Sequence, residues 1–244
     1  MEEKIMKKNV LIILLSLVFG FTSCMKDDDA YSLGKIWVGF GMLEQVSSDP
    51  VDYIIHMDNG NTLYPVVSGY QLPWYYHGTN DPNSRLQTGD RILLNYTILG
   101  DKRDGDGEID KFYIRVNEVK KILLKDILDI TDENRDSIGN DPVVVKKVWQ
   151  TDSLLNFEIK YWGRYEVHYI NLVKAPGELT EDDLPIELEL RHNANGDQRD
   201  VPFAAFASFR LNEIQIPGLD SVEYKVTGKD YEGKTFEHKG VYHY

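Results

Sequence analysis

Cys24 is the only cysteine in the chain, and its setting gives the thiol a specific chemistry. Lys7 and Lys8 precede an apolar run over residues 10–19, and Gly20 and small or hydroxyl residues lead into Thr22-Ser23-Cys24. A basic start, a short apolar stretch and a small-residue cleavage zone describe a secretory signal over residues 1–23, with Met1 or Met6 as its start. The run is too short to cross about 30 Å of hydrocarbon, which takes about 20 helical residues. Cleavage before Cys24 leaves a thiol and an amine that can both be acylated, as in a lipobox. Several acyl chains hold a protein on a membrane because each buried methylene contributes about 0.8 kcal/mol, and one chain alone is marginal. The other reading is an unmodified cysteine beside an ordinary cleavage site. If Cys24 is acylated, no disulfide is available and the fold must stand on its core.

The remaining reactive side chains are less organised. Asp101, Asp104, Asp106 and Asp110 surround Gly105 and Gly107, which invites a calcium-loop reading. Such a loop needs oxygen ligands at its first, third, fifth and twelfth positions and glycine at the sixth. With Gly107 at the sixth, Lys102 and Tyr113 fall on the first and twelfth, so a tight turn explains the run better and no metal is expected. Trp74, Tyr75 and Tyr76, with Tyr70, sit in a loop bounded by proline and glycine. They read either as a stacking platform for a sugar or a partner or as a plug for one end of a barrel. Of the six histidines, none has the spacing of a zinc motif. His168 and His192 lie on different predicted strands and meet only if the fold brings them together. No nucleophile elbow, phosphate loop or dinucleotide fingerprint is present, so neither catalysis nor a cofactor is expected.

Charge and tether narrow the partners. The net charge is -13; residues 1–23 carry Lys4, Lys7 and Lys8 against Glu2 and Glu3, so the chain beyond them is near -14. An acidic chain repels phosphate backbones, and nucleic acid is excluded as a partner. Lys26, Asp27 and Asp28, followed by Asp29, come directly after Cys24. They resemble the surface-export signal of Bacteroides-type lipoproteins, which implies an outer-membrane lipoprotein displayed at the cell surface. The plainer reading is a solvated acidic spacer over residues 24–33 on a protein facing the periplasm.

The elements that must position these groups read as all β. Residues 35–43 form a strand whose Gly39 and Gly41 imply close backbone approach. Tyr53 to Met57 and Thr62 to Val67 flank Asn59-Gly60, a hairpin signal of the type that needs positive φ at both residues. Residues 89–99 and 112–124 supply two more strands, with a slip in alternation near Asn117-Glu118-Val119 that marks a bulge. Five strands over residues 34–125 predict a small closed barrel of the OB kind. The polar residues 126–142 read as a linker, part of which is compatible with a short helix. Over residues 143–244, alternation at Leu155 to Tyr161, Tyr165 to Tyr169, Ile186 to Leu190, Phe203 to Leu211 and Val222 to Val226 predicts an antiparallel, Ig-like sandwich. Asn195-Gly196 and Glu232-Gly233 read as its hairpin turns.

Three segments then carry a family resemblance. These are Tyr113-Ile114-Arg115-Val116-Asn117-Glu118-Val119-Lys120-Lys121-Ile122-Leu123, then His168-Tyr169-Ile170-Asn171-Leu172-Val173, then Leu188-Glu189-Leu190-Arg191-His192-Asn193-Ala194-Asn195-Gly196-Asp197. Behind a lipobox and in this order they resemble the NigD-like lipoproteins. The resemblance implies an OB-type domain followed by a β-sandwich, and a link to bacteriocin immunity; it supplies no catalytic residues. The expectation is a non-enzymatic envelope lipoprotein that binds a glycan or an envelope protein. The alternative is an immunity or structural role facing the periplasm.

Overall fold

The computed structural model describes residues 31–48, 51–68, 86–103 and 109–244. Cys24, Lys26, Asp27, Asp28, Trp74, Tyr75, Tyr76 and most of the Asp-Gly run lie outside them. The regular structure of the described residues is almost entirely β, as the alternation predicts.

Strands β1 (Trp37–Ser48), β2 (Val51–Met57), β3 (Thr62–Ser68), β4 (Arg91–Asp101) and β5 (Lys111–Lys121) close into a barrel in the order β1-β2-β3-β5-β4. Only the β3–β5 pairing is parallel. Ile92, Leu94, Tyr96 and Ile98 alternate inward along β4 and meet Leu43, Ile55, Leu63, Ile114 and Val116 in a closed core. A Cβ on Gly41 would lie 2.8 Å from the carbonyl oxygen of His56, so the expected close approach of backbones is real. The expected bulge falls at Asn117, where Asn95 pairs with Glu118 and Tyr96 with Val116. At the β2–β3 turn only Gly60 takes positive φ, at 87°, and Asn59 does not. The turn closes instead as a wider loop, Met57 donating to Asn61 and Gly60 donating to Met57.

The second half stacks two sheets. One has the order β6 (Leu123–Asp126), β12 (Val201–Arg210), β9 (Leu154–Gly163), β8 (Val144–Thr151). The other has β14 (Thr235–His243), β13 (Ser221–Lys229), β11 (Ile186–Asn193), β10 (Tyr169–Lys174), β7 (Leu128–Asp129). Leu155, Phe157, Phe209, Leu172, Leu188, Leu190 and Val226 fill the space between them. The sandwich is mostly antiparallel, with parallel pairs β6–β12, β7–β10 and β11–β13.

Two of those parallel pairs correct the reading of residues 126–142 as a linker. The chain leaves the barrel at Lys121 and runs straight into β6 of one sheet. It turns inward at buried Ile127, then joins the other sheet as β7. The short helix α1 (Arg135–Ile138) tucks Ile138 into the protein. A strand that switches sheets after a few residues is too brief for alternation to reveal, and the surrounding aspartates mask its apolar residues. Asn195-Gly196 does take positive φ at both residues, but it carries the chain from one sheet to the other rather than closing a hairpin. The β13–β14 hairpin does turn at Gly233.

Candidate functional site

Strand β4 starts with Arg91, whose side chain points out of the barrel and is nonetheless 0% exposed, because the sandwich covers it. Its guanidinium grips Asp58 with both terminal nitrogens, at 2.5 and 2.6 Å, and donates to Oδ1 of Asn156 on β9 at 3.1 Å. Thr151 donates to Asp58 at 3.2 Å and Ser208 to Asn156 at 2.7 Å. The two domains thus share one polar network. Phe40 of the barrel packs on Trp149 and Phe206 of the sandwich, with ring centroids 5.4 and 5.0 Å apart. A forked guanidinium–carboxylate pair fixes orientation as well as distance, so this junction aligns the domains. Beside it runs a groove of about 500 Å³ lined by Leu93, Val119, Lys121 and Ala205.

At the far end of β4, Tyr31 bonds Asp101 and sets its ring edge-on to Phe112, while Arg115 donates to the carbonyl of Leu33 at 3.4 Å. The N-terminal segment therefore joins the barrel an 11-residue strand away from the junction, about 33 Å of extended chain. On the other side, β9 runs from the junction at Asn156 to Gly163, where its partner β12 begins at Val201.

That free end of the sandwich holds the most concentrated chemistry among the described residues. His168, just before β10, and His192, on β11, meet with Nδ1 and Nε2 2.8 Å apart. The Nε2 of His168 lies 3.2 Å from Oδ2 of Asp197, and Nδ1 of His192 lies 2.9 Å from the carbonyl oxygen of Pro142. The side chains of His168 and Asp197 are 4% and 2% exposed. Tyr161 stacks on His168 at 4.6 Å and on Phe203 at 5.7 Å, so a column of rings leads from the surface to the buried pair. Burial pushes the His192 ring below its ordinary value, the contact with Pro142 opposing this in part. Desolvation also pushes the Asp197 carboxyl up, yet the N–H groups of Arg164, Tyr165 and Gln198 and the His168 ring outweigh it. They hold it well below the usual carboxylate range.

The same carboxylate shapes the surface. The alternation of Tyr165, Val167 and Tyr169 predicts a strand, but β10 begins only at Tyr169. Asp197 takes the N–H groups of Arg164 and Tyr165, which leaves residues 164–168 as a loop instead of a ladder. Tyr165 is 76% and Val167 64% exposed, and Tyr169, Val201 and Phe203 are exposed around them. A second concavity, about 720 Å³, lies between Leu128, Asp129, Glu178, Glu213 and Pro217. Its Lys174 is held by Asp129 at 2.6 Å and the carbonyl of Gly177 at 3.0 Å.

The sequence gives the two histidines no motif spacing and does not single out Asp197 or Arg91. The one available signal was the tight Asn195-Gly196 turn, which swings Asp197 back toward β10. Arg91 gave no signal, since a charge beside Asp90 at a strand start reads as solvated. His56 forms an exposed pair with Glu44 at 2.7 Å and takes no part.

Residues 126–239 match the NigD-like C-terminal beta sandwich domain. No curated protein matches the chain. Among solved structures, a protein named as toxin-related from Parabacteroides distasonis is 27% identical with a TM-score of 0.64, covering 86% of this chain and 94% of that one. A protein of unknown function, DUF1344, from Bacteroides vulgatus is 25% identical with a TM-score of 0.63, covering 86% and 91%. A NigD-like immunity protein from Bacteroides caccae shares the fold at 17% identity, TM-score 0.59, covering 86% and 94%. Residues 126–239 are therefore similar to the NigD-like C-terminal β-sandwich domains, which supports the NigD-like resemblance read from the sequence for this half of the chain.

Proposed function

We propose that this is a non-enzymatic lipoprotein of the cell envelope, acylated at Cys24 and displayed at the surface. It holds the free end of its sandwich out to a partner, a glycan or another envelope protein. One observation carries the reading. The N-terminal segment meets the barrel at one end of β4, the Arg91 junction locks the sandwich to the other end, and the exposed Tyr165, Val167, Tyr169 and Phe203 lie beyond that junction. An anchor at one end and an apolar, aromatic face at the other suit a presenting protein, since aromatic side chains are enriched at binding interfaces. The aligned junction keeps that face at a set distance from the end of the barrel where the N-terminal segment joins. In this reading the aromatic loop of Trp74, Tyr75 and Tyr76 is a secondary contact. The buried histidine pair spends all four of its ring nitrogens on protein partners, which leaves none of them free to attack a substrate.

The test combines display and contact. An epitope-tagged copy should be shaved by protease on intact cells beside a periplasmic control. A photo-crosslinking residue at Tyr165 should capture an envelope component, and one at Lys234 should not. Shaving without any capture at Tyr165 would remove the binding reading. A second reading, immunity or a structural role facing the periplasm, draws on the toxin-related name of the relative from Parabacteroides distasonis. It predicts a tag that survives until the outer membrane is opened.

A further inference from the structure

The hydrogen bonds around His168 dictate where protons sit. The carbonyl of Pro142 only accepts, so Nδ1 of His192 must carry a proton. The ionised Asp197 carboxylate only accepts, so Nε2 of His168 must carry one too. Between these ends the remaining two nitrogens, 2.8 Å apart, share one proton. Two neutral imidazoles supply one proton fewer than this chain of bonds requires. The pair is complete only with a single positive charge, balanced by Asp197. A further proton sets two N–H groups against each other, and loss of the extra proton leaves one bond unmade.

Asp197 is also the clamp on the exposed loop, through the N–H groups of Arg164 and Tyr165. A carboxylate in a closed site whose histidine partner loses its positive charge keeps its own charge only at a cost, even with the Nε2–H contact in place. Gly163 shows how little slack exists: a Cβ there would lie 2.6 Å from Nε2 of His168 and 2.8 Å from Oδ2 of Asp197.

We propose that the His168–His192 pair is a proton-set latch on the 164–168 loop, so that partner binding at this face depends on pH. The singly charged pair holds Asp197 and the loop, and gaining or losing a proton releases them. The latch rests on the reading of this face as the binding surface only for its consequence, not for its operation. The charged and titratable neighbours are consistent with one charge on the pair. Tyr161 stacks from β9 and its hydroxyl stays neutral, burial pushing it up. Asp141, ahead of β8, favours charge on His192. Arg164 in the loop is paired with Asp200 at 3.4 Å, and Arg199 is occupied by the rings of Trp162 and Tyr231. Glu166 lies on the loop's exposed side. The extra proton resides on His168, between the carboxylate and its neutral neighbour.

The experiment is nitrogen-detected NMR of the histidine rings of the mature chain, with amide exchange followed across about pH 5 to 8. At the latched pH both nitrogens of His168 and only Nδ1 of His192 should be protonated. When His168 loses its proton, protection of the Arg164 and Tyr165 amides should fall at least about tenfold, the scale of one charge-assisted bond. Leu188 and Leu190 should keep theirs. Asp197→Asn should lose the loop protection at every pH. His192→Gln, which can still accept from His168 and donate to Pro142, should keep the loop latched further into acid. A His168 that stays neutral throughout, or one that titrates with no change at Arg164 and Tyr165, overturns the latch. No partner enters the measurement. A latch that works on a protein that captures nothing would remove only the binding reading, and a captured partner with an inert pair would remove only the latch.

Discussion

Arg91 shows how one side chain decides a domain arrangement. It is a charge with no access to water, held by Asp58, Asn156 and the face of Phe40. Truncating one partner of such a pair leaves the other charged and uncompensated, which costs about 3–5 kcal/mol. Urea unfolding of Arg91→Ala should show a loss of that size, and a loss below about 1 kcal/mol, the scale of a surface pair, would contradict the junction. Tyr224 makes a different kind of claim. Its hydroxyl donates to Gln150 at 2.9 Å, and burial pushes its pKa from 10.0 up to about 12. The folded state prefers the neutral phenol, so this contribution is complete below pH 10 and disappears as pH rises toward 12. Tyr224→Phe should flatten that alkaline loss of stability, at the expense of one buried hydrogen bond, about 1 kcal/mol at neutral pH. Asp197 works in the opposite sense: its lowered value gives stability present at neutral pH and lost as acid protonates it.

Elements carry the next claims. β6 and β7 are short, yet each edges a sheet, and Ile127 between them is buried in the sandwich core. Ile127→Ala should cost about 2–5 kcal/mol by chemical denaturation, as for other large-to-small core changes. In a free linker it would cost nothing measurable. The bulge at Asn117 sets the faces of β5. Because side chains alternate with a period of two, removing one residue there exchanges inside for outside over the rest of the strand. The alternation slip was visible in the sequence because the bulge interrupts a long, regular strand. The 164–168 loop was misread as strand because its alternation is real, and only the capture of its N–H groups by Asp197 breaks the ladder.

At the scale of the whole molecule, the barrel and sandwich should melt as one unit, since β5 runs into β6 and the Arg91 network spans both. Calorimetry of the intact chain should show one transition, and Arg91→Ala should split it into two or move the halves apart. The proposed anchor makes a separate prediction. If Cys24 is acylated as proposed, Cys24→Ala should shift the protein from the membrane fraction to the soluble fraction of the envelope, because acyl chains would supply the membrane affinity. Retention of the variant on membranes would mean that something other than Cys24 holds it there.

The sequence by itself determined the fold class, the barrel strands, the site of the bulge and the NigD-like resemblance of the sandwich half. It also supplied the chemistry expected of Cys24. Those features are local: they follow from alternation, glycine spacing and the order of short motifs, each legible within a window of about ten residues. Tertiary structure decided what depends on residues far apart in the chain. It made 126–142 part of two sheets, closed Arg91 into a domain junction, and joined His168, His192 and Asp197 beneath an exposed loop. A strand pattern states which face a residue takes, but not what the neighbouring sheet or domain sets against that face. Burial of a charge or a histidine is a property of that second surface.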